Sequence, residues 1–521
     1  MQNFVYKTGA QLPETIFGKE YSDGYGTLSF HISDSDTKRN HPILFHIYID
    51  VSGSMSDIID FKRNRSKMQL LKHTLKNILM HLAENSEHVY IEVKGFDNVI
   101  HHYIDCVKVT KENISELLAK VEPIEPMNST NIGLALTSLN NDLDKNQDTI
   151  GLKNRVVIML TDGDPTTGEC NTSKLVDMVT KECSYHFIGL GNDHNGILMH
   201  ELGHKNIFTK NWYINDIEHT GDVYGEILFN ETHCVYNDNV IAVTGGGKIY
   251  DYIKGDFVDT IAIGTLYEET TKNYHILIHD LEKLEITIQG KKLDNSEFSL
   301  KAEQATYEPL EIEKQFLRLC VQKLMFMVRK DAAKIENNQT IFEPSYLQNN
   351  YRPNINVRAN LDIQLKKDID MLYDTIKTFI KENSLEKDEF MEGLFKDVNV
   401  MKNSYGMLDS FKILSGREDS QGRQTAYNTA SQYEDDCLQL FPPKLRRDGS
   451  SAYRTPRRCD MMRNISNNNN CNYDNDDSDN TSPIPRARAR LGLLSPQSNQ
   501  PILKRQSTTG FEEEEEYLTE I

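Results

Sequence analysis

The chain has 521 residues with 58 Lys+Arg against 78 Asp+Glu, a formal net charge of −20, and 38% hydrophobic residues. At about 150 residues per domain this exceeds a single ordinary domain, and the modest apolar content predicts an unfolded portion beside the folded ones. The acidic balance speaks against broad binding to nucleic acid or to membrane surfaces, whose phosphates it repels.

The first residues, MQNFVYKTGAQLPE, lack the apolar run of a signal peptide, and no 18 apolar residues follow one another anywhere. Within residues 1–40, Leu28, Phe30 and Ile32 alternate as in a half-buried strand. ILFHIYI at 43–49 is nearly all apolar, the pattern of a strand covered on both faces. Met68, Leu71, Leu75, Ile78, Leu79 and Leu82 then recur at helical steps. Strands follow at 89–93 and 99–107, helices at 114–121 and 132–143, a strand at 156–160 and a helix at 175–181. A strand at 185–189, a helix at 197–204, a strand at 208–214 and a helix to about 228 complete the run. This alternation predicts an α/β domain over 41–231, a doubly wound, mostly parallel sheet.

From 232 to 305 short β-rich runs (NVIAVTG, KIYDYI, FVDTIAIGTL, NYHILIH, LEITIQG) predict a small antiparallel β domain. The strand at 27–32 is expected to join it, so that the α/β domain is an insertion; a β domain that simply follows it is the alternative. Residues 306–440 read as helical: Ile312, Phe316, Leu319, Cys320 and Met327 mark one face, and Leu365, Ile369, Leu372, Ile376 and Phe379 form a two-heptad seam. Residues 441–521 are low in complexity and predicted to be disordered, with a poly-Asn/Asp tract, RARAR at 486–490 and five Glu at 512–516. That tail carries twelve basic and twelve acidic residues, so the net −20 belongs to residues 1–440.

The chemistry concentrates where the first α/β strand ends. Asp50, Ser52 and Ser54 place three oxygen-bearing side chains at alternate positions of one loop, at the carboxyl edge where open α/β sheets bind ligands. Asn128-Ser129-Thr130-Asn131 and Thr161-Asp162-Gly163-Asp164-Pro165 are expected at the same edge.

This set resembles the metal-ion-dependent adhesion site of von Willebrand factor A domains: D-x-S-x-S at Asp50, Ser52 and Ser54, the separate threonine at Thr130, and the later aspartate at Asp162. The resemblance implies Mg²⁺ (or Mn²⁺ or Ca²⁺), with Ser52, Ser54 and Thr130 as direct ligands and Asp50 and Asp162 acting largely through water. It also implies a position open to an Asp or Glu of a protein partner. Hydroxyl and carboxylate oxygens without thiol or imidazole suit such a hard cation on their own account. The flanking segments are similar to those of inter-alpha-trypsin inhibitor heavy chains and of a plant group carrying a RING finger. The RING is absent here: the eight cysteines (106, 170, 183, 234, 320, 437, 459, 471) lack its spacing and that of a disulfide framework.

The expectation is therefore a non-enzymatic, cation-dependent protein-binding scaffold. It is expected to be intracellular, soluble and cytoplasmic, with KLRR at 444–447 and RARAR leaving a nuclear location open. Two other readings stand beside it. His200-Glu201-Leu202-Gly203-His204 is a literal H-E-x-x-H, the zinc-hydrolase pattern, although Ile207 and Lys210 replace the metzincin continuation and Glu218 and His219 lack a third ligand's context. A hydrolase using Mg²⁺ at the sheet edge belongs to the same class. The third reading is a structural assembly protein with a vestigial metal site. Thr244-Gly-Gly-Gly-Lys248 lacks the Ser/Thr and the helix of a phosphate loop and is expected to be a hairpin turn.

Overall fold

A computed structural model describes residues 1–8, 24–33, 42–60, 64–85, 88–145, 154–191, 193–214, 220–306, 308–339, 362–407 and 410–424. All eight residues of strand Ile43–Asp50 are buried, which requires a sheet covered on both sides. It pairs in parallel with Val89–Phe96 on one side and Arg155–Thr161 on the other. Ser184–Leu190 and Thr209–Ile214 continue the sheet in parallel, and Ile100–Lys108 closes the far edge antiparallel to Val89–Phe96.

Alternate residues of the central strands feed two cores. Ile47, Ile49, Ile158 and Leu160 pack with Leu71, Leu75 and Leu79 of helix Lys67–Asn85 and with Ile227 of helix Thr220–Thr232. Tyr48, Val157 and Met159 face Leu136 and Leu139 of helix Ile132–Asp144 and Leu198 and Leu202 of helix Gly196–Gly203. The doubly wound α/β class is thus borne out. The helix expected at 175–181 is Thr172–Asp177 instead, because the Asn171 side chain accepts the Lys174 amide and starts the helix earlier.

Two further sheets form a sandwich. One has the order Asp256–Val258, Gly247–Asp251, Thr270–Ile278, Gly24–Ile32, Gln2–Thr8, Glu303–Ala305; the other Thr260–Tyr267, Cys234–Thr244, Glu285–Lys292, Glu297–Lys301. Leu28, Phe30, Ile249 and Ile276 of the first meet Ile241, Ile261, Ile286 and Ile288 of the second. Gly24–Ile32 pairs with Thr270–Ile278 over nine residues, so the α/β domain is inserted between two strands of the sandwich. Strand Gln2–Thr8, with Phe4 and Tyr6 buried, escaped the sequence reading. The Gly245–Gly247 turn also differs from expectation. The strands on either side of it lie in different sheets, so it crosses the sandwich rather than closing a hairpin. A Cβ on Gly245, at φ +76°, would stand 2.1 Å from the Lys283 carbonyl, which leaves room for glycine alone.

Helices Pro309–Gln339, Ile363–Glu382, Glu389–Ser404 and Ser410–Arg423 share a core of their own around Val321, Leu324, Val328, Ile369, Ile376, Phe395 and Leu414. Two expected face residues differ. Met327 is 40% exposed, and Ile380 is fully buried while Phe379 is only partly so, because a straight helix drifts from a strict heptad. Ser410–Arg423 carries the polar run Arg417-Glu418-Asp419 inward: Arg417 bonds Asp397 at 2.6 Å, with both side chains fully buried, and Glu418 pairs with Arg329. The tail expected to be disordered, 441–521, lies outside the described residues, as do Glu218 and His219. Among the described residues no helix is long and apolar enough to cross a membrane.

Candidate metal centre

Three loops meet at the carboxyl end of strands Ile43–Asp50 and Arg155–Thr161. The Asp50 carboxylate is buried and held from two sides: its Oδ1 accepts the Ser52 amide at 2.8 Å and its Oδ2 the Thr161 hydroxyl at 2.6 Å. Burial pushes this carboxyl up to about 6, against the hydrogen bonds from Thr161 and Ser52, with the Asp162 charge adding to the rise. Ser52 and Ser54 hydroxyls lie 3.0 Å apart, and Ser54 donates to Asp162 Oδ1 at 2.9 Å.

The second loop is pinned beside the first. The Gly53 amide donates to the Asn128 carbonyl at 3.0 Å, with Asn128 at φ +45°, a conformation Asn tolerates. Asn128 Nδ2 in turn donates to Asp97 Oδ2 at 2.7 Å. The Thr130 backbone is bonded to the third loop: its amide donates to the Thr166 hydroxyl oxygen and its carbonyl accepts the Thr166 amide, each at 2.9 Å. Asn131 then caps helix Ile132–Asp144 by accepting the Leu134 amide at 2.9 Å. A Cβ built on Gly163 would lie 3.7 Å from Thr130 Oγ1 and 3.8 Å from Ser54 Oγ. The hydroxyls of the first two loops therefore flank one small residue of the third, and all five predicted residues, Asp50, Ser52, Ser54, Thr130 and Asp162, are brought together.

Sequence reasoning missed Lys67. Its buried ammonium donates to Asp162 Oδ2 at 2.8 Å and to Asp193 Oδ2 at 3.0 Å. Burial pushes this lysine down, but Asp162 and Asp193 outweigh it and leave its pKa above the ordinary value. A signal was available: Lys67 opens a helix, where a cation is unfavourable unless a carboxylate answers it. The donor set fits a hard divalent cation, with two buried carboxylates and neutral hydroxyls gathered from three loops. Lys67 already neutralises part of that charge.

The H-E-x-x-H pattern has a different role. His200 Nδ1 bonds the Ser415 hydroxyl at 2.7 Å and His204 is ion-paired with Asp419 at 2.9 Å. Both partners belong to helix Ser410–Arg423, and Glu201 is exposed. Burial, with neighbouring His204 and Arg329, drops His200 to about 2. Burial also acts to lower His204, but Asp419 outweighs it and raises it. Among the described residues no three His, Cys, Asp or Glu side chains group as metal ligands. These histidines thus tie the end of helix Gly196–Gly203 to helix Ser410–Arg423.

The inserted α/β sheet gathers a D-x-S-x-S loop, a threonine loop and an aspartate loop at its carboxyl edge. Residues 45–164 match the sequence model of the von Willebrand factor type A domain, and the chain carries such a domain; domains of this kind are typically protein-interaction modules. The chain is 30% identical over 166 residues to inter-alpha-trypsin inhibitor heavy chain H2 of Mus musculus, covering 30% of this chain and 16% of that one. It is 24% identical over 263 residues to the heavy chain H2 of Homo sapiens, 46% of this chain and 26% of the relative. The matches thus span only 16% and 26% of these relatives' own length. Among solved structures, a von Willebrand factor type A protein from Catenulispora acidiphila aligns with TM-score 0.45 and 14% identity, covering 71% of this chain and 85% of that one. The ArnB paralog VWA2 from Sulfolobus acidocaldarius aligns with TM-score 0.43 and 15% identity, covering 79% and 98%.

Proposed function

We propose that the domain binds a protein partner through a divalent cation at this edge, an Asp or Glu of the partner completing the cation's shell, and that the chain is a scaffold rather than an enzyme. The observation that carries the proposal is the continuous run of contacts Ser52, Ser54, Asp162 beside Thr130, over a buried Asp50 held by two donors. Ser52, Ser54 and Thr130 would hold Mg²⁺, or Mn²⁺ or Ca²⁺ with the same donor preference, and Asp50 and Asp162 would balance its charge. When bound, the cation supplies a positive centre that attracts a carboxylate to a chain of net charge −20. The setting is proposed to be intracellular, which localisation of a fluorescent fusion checks.

The test has two stages. Mn²⁺ titration of the full chain, followed by electron paramagnetic resonance, should show one saturable site that Asp50→Ala loses. Partners captured on the wild-type chain should then be released by chelator and absent from the Asp50→Ala chain. Partners retained under both conditions would sink the proposal.

Lys67 favours a second reading. Its ammonium 2.8 Å from Asp162 can serve as an internal cation, leaving a structural domain whose metal site is vestigial. Full chain that binds neither Mg²⁺ nor Mn²⁺ saturably, yet keeps its partners in chelator, is the result this reading requires.

A further inference from the structure

Away from the metal edge, strand Thr209–Ile214, both sheets of the sandwich, helix Pro309–Gln339 and the end of helix Ser410–Arg423 enclose a cavity of about 320 Å³. That lies within the roughly 300–1,000 Å³ of small-ligand sites. Part of its wall is aromatic and aliphatic, with Trp212, Tyr252, Tyr274 and Ile261. Lys272, Arg318 and Arg423 also line it, and the first two are almost wholly buried.

The bonding of these cations is unusual. Lys272 donates to the carbonyls of Arg423 at 2.5 Å and Gln424 at 3.2 Å. Arg318 donates to the carbonyls of Asn273 at 3.1 Å and Gln421 at 2.6 Å and to the side-chain oxygens of Gln421 and Gln315. All of these acceptors are neutral. Arg423 donates to the Tyr252 hydroxyl and to the carbonyls of Gly203 and Thr209. Its nearest carboxylate, Asp419 at 3.8 Å, is already paired with His204 at 2.9 Å. The cavity's other charges are largely answered: Lys210 pairs with Glu231 at 3.1 Å and Asp251 with Lys254 at 3.2 Å, while Glu226 accepts the Asn230 amide at 3.5 Å.

Buried charge held only by neutral groups is costly unless a counter-charge arrives. Burial, with the Arg318, Lys210 and Arg423 charges, pushes the Lys272 ammonium down to about 7. An independent observation points the same way. The Tyr250 hydroxyl, a buried donor on a residue of the cavity wall, has no hydrogen-bond partner among the described residues, and such groups are normally satisfied.

We propose that this cavity binds a small organic phosphate, its phosphoryl group against Lys272, Arg318 and Arg423 and its apolar body against Trp212 and the tyrosines. The Arg318 and Arg423 charges, with Lys272 protonated when the anion binds, match a dianion. The site is separate from the sheet edge and does not depend on the cation reading. Its occupant would join the α/β domain, the sandwich and helix Ser410–Arg423.

The chain has one tryptophan, Trp212, on the cavity wall, so its emission reports on the site directly. Titrating the full chain with phenyl phosphate should change that emission saturably, with a matching calorimetric isotherm. Inorganic phosphate should bind at least tenfold more weakly and phenol not at all. Lys272→Met should weaken phenyl phosphate tenfold or more with unchanged circular dichroism. If that variant does not fold, Tyr250→Phe, which removes only a hydroxyl, should weaken it several-fold. No saturable binding of phenyl phosphate by either method, phenol binding as well as phenyl phosphate, or an affinity indifferent to the folded variants overturns the proposal.

Discussion

The sheet-edge cluster and the His200/His204 cluster both read in the sequence as metal sites, and they diverge in what surrounds each polar atom. At the edge, hydroxyls and carboxylates from three loops converge on one another beside Gly163. Around the histidines, Ser415 and Asp419 from helix Ser410–Arg423 take up the ring nitrogens across a buried joint. Polar groups converging at a sheet edge can share a ligand; groups matched one to one inside a joint hold elements together. The variants below should therefore fail in binding at one cluster and in stability at the other.

The largest effect is expected at the joint. Asp419→Ala leaves His204 without its counter-ion, and breaking a buried pair costs about 3–5 kcal/mol. Urea unfolding should show that loss while Mn²⁺ affinity stays at the wild-type value; a loss under about 1 kcal/mol would mean that the joint is not structural. Thr130→Val at the edge should do the reverse. It should weaken Mn²⁺ about tenfold to a hundredfold, equivalent to about 1.4–2.7 kcal/mol, and leave the unfolding midpoint nearly unchanged. An equal loss in both readouts would erase the contrast.

Titration sharpens the comparison further. His200 titrates at about 2 in the folded chain, below its unfolded value near 6.5. The folded state then binds fewer protons between these limits, so the stability that His200 contributes above pH 6.5 is lost as pH falls. The wild-type advantage over His200→Gln should shrink from pH 6.5 downward, by up to about 1.4 kcal/mol per pH unit. A difference that is flat with pH would show that the imidazole is not held neutral. The smallest change is expected for Lys67→Met, which frees Asp162 of its ammonium and should tighten Mn²⁺ binding several-fold, about 1 kcal/mol. Weaker binding in this variant would assign Lys67 a supporting role instead of a competing one.

Much of the α/β layer was legible because its signals are local. Helix Ile114–Val121 has the predicted limits, and strands Ile43–Asp50 and Arg155–Thr161 differ from expectation by a residue or two. Their apolar runs and periods state burial directly. Strand Gln2–Thr8 was missed because its partners, Gly24–Ile32 and Glu303–Ala305, lie far along the chain, and a short alternating run says nothing of what will pair with it. All five edge residues were named in advance, since each sits at the end of a strand or in the short loop that follows it or precedes a helix. Lys67 was not, because its meeting with Asp162 spans 95 residues.

Periodicity and turn chemistry act over a few residues, so where strands and helices run and which oxygen-bearing loops follow the central strands could be read from the chain alone. The acidic balance was also legible, although a total of −20 does not reveal the cationic cavity that Lys272, Arg318 and Arg423 line. Only the tertiary structure decided that H-E-x-x-H is a joint, that the Arg417-Glu418-Asp419 run faces inward, and that Lys67 stands against Asp162. The physical reason is common to all three: a buried charge is tolerable only opposite a specific partner, and those partners lie on other elements, from Asp397 at 20 residues' separation to Asp419 across the joint from His204.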